Sequence, residues 1–164
     1  RRKRRRNALR RLPNVGASDG RRSHCPGARL TVEDCLSLSI VTLRKHGLLG
    51  GQGDGKRFTW HDEQGEVVSS INVLVDMDHE PSPSARFQYT VKIEEVLHDV
   101  DQRMALTPTP MRHVGRRWWY TCPACNRRAG VLHLPPGEAF FACRTCHDLS
   151  YRSRWRGYKN TIAR

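Results

Sequence analysis

Two Cys-x-x-Cys pairs, Cys122-Pro123-Ala124-Cys125 and Cys143-Arg144-Thr145-Cys146, lie 17 residues apart near the end of a 164-residue chain. Each pair can turn on itself so that both sulfurs face one point. Two such knuckles bring together the four soft ligands that a tetrahedral zinc ion prefers. The spacing therefore predicts one Zn2+ bound by Cys122, Cys125, Cys143 and Cys146. A redox-active pair needs one Cys-x-x-Cys, not two joined by a connecting segment. Four protein thiolates leave no coordination position for water or substrate, so the predicted zinc is structural. Asn126, directly after the first pair, tolerates the left-handed backbone that such a knuckle needs.

Between the pairs, Val131–Leu134 and Ala139–Ala142 read as short strands joined by the turn-forming Pro135-Pro136-Gly137-Glu138, which makes a zinc-ribbon hairpin. Upstream, residues 31–49 read as the main helical segment, with Thr31 and Asp34 as its start and Gly47 as its stop. Ser37 and Ser39 are places where it splits. Its second half, followed by a Gly-rich turn and a hairpin, is loosely similar to the recognition helix and wing of a winged helix-turn-helix. No three-helix core is evident upstream, so the main reading is a helix packed on the sheet and a winged helix is the alternative. Strands are expected at Phe58–His61, Val67–Val75, Arg86–Ile93, Met104–Leu106 and Val114–Thr121. An exposed loop over 76–85 and an acidic connection over Glu94–Gln102 separate them. The expected fold class is α+β: a small antiparallel sheet with one helical element, extended by the C-terminal ribbon. The division is a disordered basic arm over 1–28, an α+β region over 29–112 and the ribbon with its tail over 113–164.

A net charge of +13 is unevenly spread. Residues 1–30 carry 11 basic and one acidic side chain, residues 54–101 carry four basic and 11 acidic, and residues 102–164 carry 12 basic and two acidic. Two cationic ends flank an acidic centre, an arrangement that directs the ends toward a polyanion. In the arm the candidate nucleic-acid contacts are Arg1, Arg2, Lys3, Arg4, Arg5 and Arg6. In the ribbon they are Arg116, Arg117, Arg127 and Arg128. The tail interleaves basic and aromatic residues at Arg152, Arg154, Trp155, Arg156, Tyr158 and Lys159, a composition suited to phosphates and base stacking. Trp118, Trp119 and Tyr120 alternate across a strand, so one ring at least packs inward while another faces out. Core and ribbon packing is the plain reading of the three, with base stacking the alternative.

Arg116–Cys125, Leu134–Gly137, Cys143–His147 and Leu149–Ser153 together resemble a group of uncharacterised bacterial proteins that end in such a ribbon. The resemblance covers about a third of the chain, implies the four zinc ligands, and brings no activity with it. Asp78-His79 resembles a fragment of the HNH nucleases, but in that family the pair lies between the two Cys-x-x-Cys motifs, whereas here it precedes both. No nucleophile motif or phosphate-binding glycine loop points to another chemistry, so the chain reads as non-enzymatic, with no small-molecule substrate. No apolar run is long enough to span a membrane, and the Arg-rich start lacks the apolar segment of a secretory signal. Clustered Cys-x-x-Cys pairs fit a reducing compartment, so a cytoplasmic location is expected. Cys25 and Cys35 read as a loop thiol and a small buried residue, the alternative being a second metal site with His24 or His46. The expected function is nucleic-acid binding through phosphate contacts of low sequence specificity. The alternative is a protein-interaction module within a larger complex.

Overall fold

The structure is a computed structural model and describes residues 30–50, 55–78, 82–112 and 115–153. The basic arm, His79, Cys25 and the tail from Arg154 onward lie outside the described residues. Strands dominate what is described. In chain order the elements are a 3-10 turn at Val32–Asp34, β1 (Leu36–Ser39), α1 (Ile40–Lys45), β2 (Lys56–His61), β3 (Val67–Asp76), β4 (Ser84–Ile93), β5 (Val96–Pro110), β6 (Arg116–Thr121), β7 (Arg128–Ala129) and β8 (Val131–Leu134). β2 to β7 follow one another in an antiparallel six-stranded sheet, while β1 and β8 form a second, two-stranded one. The α+β expectation is met only in its sheet, since the helical share is a single short helix among the described residues.

The predicted helix over 31–49 is instead three elements. Leu36-Ser37-Leu38-Ser39 alternates with period two, and its two leucines pair with Leu134 and Leu132 across the β1–β8 ladder. Ser39 stays extended and its hydroxyl accepts from the Val41 N–H, so it caps α1 rather than continuing a helix already begun. α1 buries Ile40 and Leu43 and stops at Gly47, whose φ of 77° suits glycine. A six-residue helix preceded by a strand, with Leu43 fully buried, does not present a recognition helix. The winged-helix likeness is not realised.

The acidic connection over Glu94–Gln102 is also corrected. Glu94 and Glu95 alone form the turn, at φ 50° and 65°, the paired left-handed geometry of a tight hairpin. Asn-Gly normally announces such a turn, and two glutamates do not. β5 then runs for 15 residues, with Val100, Gln102, Met104 and Leu106 inward and Asp99, Asp101 and Arg103 outward. The loop expected over 76–85 is shorter, because β3 extends to Asp76 and β4 begins at Ser84.

Pro108 and Pro110 do not break β5, and alternation explains why. Leu106 donates its N–H toward the β4 side, to Pro83 O at 2.7 Å. Residues 108 and 110 point their nitrogens the same way, just past the start of β4, where no ladder partner remains. Thr107 and Thr109 face the other edge, where β6 is laddered. The two prolines thus end pairing on one edge without disturbing the other.

Most of the buried apolar residues among those described form one cluster. Ile71, Val73, Ala85, Phe87, Met104 and Leu106 from β3–β5 meet Leu38 and Leu43, and on the far side Tyr120, Leu132 and Phe141. Phe87 stands edge-on to both Tyr120 and Phe141, at 5.9 and 5.4 Å between ring centres. The residues around the knuckles therefore share a core with the sheet upstream.

Candidate metal centre

Cys122 follows directly on β6, and the chain then wraps back on it. Asn126 donates its N–H to Cys122 O at 2.8 Å, and Cys122 donates to Arg127 O at 2.9 Å. Closing that turn requires φ 57° at Asn126, the left-handed position its sequence context predicts. The second knuckle is built alike from Cys146 N–H to Cys143 O at 2.9 Å and Leu149 N–H to Arg144 O at 3.0 Å, with Asp148 at φ 52°.

These turns converge. All four Sγ atoms lie within 4.8 Å of one another, and the Cys122–Cys146 and Cys125–Cys143 pairs are each 3.8 Å apart. Such a group can hold one metal ion. All four cysteines are free, so neither knuckle closes into a disulfide of its own, and the 3.8 Å cross-knuckle separations are far beyond the roughly 2 Å of bonded sulfurs. Burial alone would raise the Cys122 thiol, but the N–H of Cys143, 3.3 Å from its sulfur, and those of Ala124 and Cys125 outweigh that and shift it down toward thiolate. Burial raises Cys143 and Cys146, and the neighbouring sulfurs raise Cys146 further. One thiolate thus opposes the next, and a bound cation removes the conflict.

The sheet holds the second knuckle by polar contacts that sequence reasoning missed. Gln102, buried on the inward face of β5, accepts from Phe141 N–H at 2.8 Å and donates to Phe141 O at 2.9 Å. Its amide acts as a one-residue β-bridge, two positions before Cys143. Tyr89 adds a hydroxyl bond to Ala139 O at 2.7 Å. The expected strand over Ala139–Ala142 shrinks accordingly to a single bridge between His133 and Ala142. β8 takes β1 as its ladder partner instead, reinforced by the 2.7 Å contact of Ser37 Oγ with His133 Nδ1. Burial, then His147 and Arg144, hold His133 below the usual histidine range. A polar glutamine inside the apolar alternation Val100, Met104, Leu106 was the available signal for the Gln102 tether.

Past the second knuckle the chain is clipped to the 3-10 turn. Val32 N–H reaches Ser150 O, Ser150 N–H reaches Leu30 O, and Arg152 meets Asp34 Oδ1 at 3.2 Å and, through its N–H, Glu33. Arg152, expected on a phosphate, thus faces two carboxylates. Asp34 is held below the usual carboxylate range first by the Thr31 hydroxyl and then by the Thr31 N–H and Arg152. Cys35 donates to Thr31 O at 3.3 Å, and burial pushes its thiol up to about 11. It joins no metal-binding group among the described residues, and His46 contacts Lys56 and Phe58 instead.

The remaining candidates divide. Arg116, Arg117, Arg127 and Arg128 are exposed around β6, β7 and the first knuckle. Arg1–Arg6, Arg154, Trp155, Arg156, Tyr158 and Lys159 lie outside the described residues. Among the three ring-bearing neighbours, Tyr120 is fully buried, Trp118 packs against the core and Trp119 faces the other way. No helix among the described residues is long and apolar enough to cross a membrane. Compared with known proteins, the chain matches no protein family, no curated protein and no solved structure.

Proposed function

We propose that the protein binds nucleic acid through cationic side chains held in place by one structural zinc ion. A tetrahedron with zinc–sulfur bonds of about 2.3 Å has edges of about 3.8 Å, which is the spacing of the two cross-knuckle pairs. An all-thiolate set favours zinc over hard cations.

The polyanion reading is carried by one observation: charge is segregated, and the cations collect around the knuckles. Residues 102–153 contain eight arginines against Glu138 and Asp148, and four of the eight stand exposed on β6, β7 and the first knuckle. Fixed by metal, these groups approach a phosphate backbone at little ordering cost. Contacts of that kind give low sequence specificity. A clustered set of four cysteines also suits a reducing, intracellular setting.

The test is fluorescence anisotropy of the zinc-loaded protein against duplex DNA, single-stranded DNA and RNA across a salt series. Log affinity should fall linearly with log salt, by several units of slope. Absence of binding at low salt would reject the reading.

A second reading, a protein-interaction module, is favoured by the tips of the two hairpins. Val67, Val68, Val96 and Leu97 are exposed there among Glu63, Glu66, Glu94 and Glu95. An acidic rim around exposed apolar side chains fits a basic partner protein.

A further inference from the structure

Thr107 pairs with Trp119, Thr109 with Arg117, and Thr121 with Arg128 across β5, β6 and β7. These six residues therefore share one face of the sheet, opposite the buried Leu106, Tyr120 and Ala129. Elsewhere in the described sheet the strand aromatics Phe58, Trp60, Phe87, Tyr89, Trp118 and Tyr120 belong to the core side. Trp119 differs from all six in looking outward.

Its indole is held from several directions. Nε1–H donates to Thr109 Oγ1 at 3.1 Å, and the same oxygen accepts from Arg128 at 3.1 Å. The Arg117 guanidinium carbon lies 4.1 Å from the ring centre. Gly130 passes close to the ring, where a Cβ would stand 3.6 Å from Cζ3. A large, half-buried aromatic is thus fixed at the surface, capped by the exposed Arg117 guanidinium, which is itself a planar stacking partner. The nearest acid on this face of β5 is Asp101, six residues or about 20 Å along the strand, and it is bound to Arg86.

We propose that this face is a stacking platform for single-stranded nucleic acid, in which a base lies on the Arg117–Trp119 pair and Arg128 takes a neighbouring phosphate. The inference rests on the nucleic-acid reading above and narrows it to one strand state and one surface. Stacking on a preordered ring needs the face of a base, which a duplex keeps buried between its neighbours. A sheet face carrying Arg and Thr hydroxyls beside one ring offers no helix to enter the major groove.

The test measures anisotropy of labelled oligothymidylate, oligouridylate and a duplex, each of about 12 nucleotides, with the zinc-loaded full chain. Either single strand, DNA or RNA, should bind about tenfold or more tighter than duplex. Trp119→Ala should weaken single-strand binding by about tenfold or more while the salt slope stays as in the wild type, because no charge is lost. Arg117→Lys keeps the charge and removes the plane; it too should weaken single-strand binding several-fold, at unchanged slope. It also decides the matter if Trp119→Ala loses zinc or melts early. Wild-type affinity in both variants, or equal binding of duplex and single strand, would overturn this inference and leave the broader reading standing. If the wild type binds none of the three at low salt, both fall.

Discussion

Strands β2–β5 and the segment from β6 to Arg152 are both small β structures, yet they are held by different means. The first has the period-two alternation that lets a sheet bury one face: Ile71, Val73, Val75, Ala85, Phe87 and Met104 are inward and nearly inaccessible. Apart from the exposed Val67, Val68, Leu74, Val96 and Leu97, its outward face is polar, and its charge is negative overall. The second has strands of two to six residues, too short to be stable as isolated ladders. Four thiols, backbone turns and the side chains of Gln102 and Tyr89 make up the deficit. With zinc bound as proposed, a segment that has only short strands, though it lends Tyr120, Leu132 and Phe141 to the shared core, can still carry many cations, because the metal joins its two knuckles. Among the described residues only the basic half has a four-cysteine group that could supply a metal cross-link to offset dense like charge.

Four measurements break or sharpen that contrast. Cys143→Ser, or chelation, should have the largest effect, since a structural zinc contributes on the order of 10 kcal/mol of apparent folding free energy. The ribbon amides should lose hydrogen-exchange protection first, with the melting temperature falling sharply. Protonation competes with metal for sulfur, so acidification should have the same outcome and alkaline pH should not. Phe87→Ala should cost about 3–5 kcal/mol in urea unfolding. Because Phe87 touches Tyr120 and Phe141, the loss should appear in both regions. Gln102→Leu strips Phe141 N–H and O of their partners in a buried place, at about 2–4 kcal/mol, and should speed zinc release to a chelator; Gln102→Glu, which keeps only the acceptor, should do so too. Tyr120→Phe is the smallest and has the opposite sign. The Tyr120 hydroxyl is buried without a hydrogen-bond partner, and burial lifts its pKa well above the ordinary tyrosine value. Its removal should leave stability unchanged or raise it by about 1 kcal/mol.

The four cysteines and the strand at Arg86–Ile93 are legible in the sequence because each rests on a local pattern, a spacing or an alternation. Other features depend on partners far away along the chain. Leu36–Ser39 has the composition of a helix turn until β8 offers it a ladder, and that partner lies about a hundred residues on. Val131–Leu134 reads as a strand, but the neighbour closest in sequence is Ala139–Ala142, and only the folded chain shows that Leu36 and Leu38 offer two more apolar contacts. β5 reads short because acids at 99 and 101 and prolines at 108 and 110 have the composition of a loop, although each sits where its side chain or nitrogen meets solvent or a finished edge. At the metal centre the ligands are plain from sequence and their supports are not. Gln102 becomes a tether only once Phe141 is folded against it, and Arg152 becomes an ion-pair partner only when the 3-10 turn is beside it.

In the proposed function the basic half depends on one metal ion joining the two knuckles. Zinc K-edge X-ray absorption on protein purified without added metal tests this directly. The expected result is one zinc per chain with four sulfur neighbours at about 2.3 Å. A folded, metal-free protein whose cysteines at 122, 125, 143 and 146 alkylate freely, or a zinc bound by fewer than four sulfurs, would contradict it.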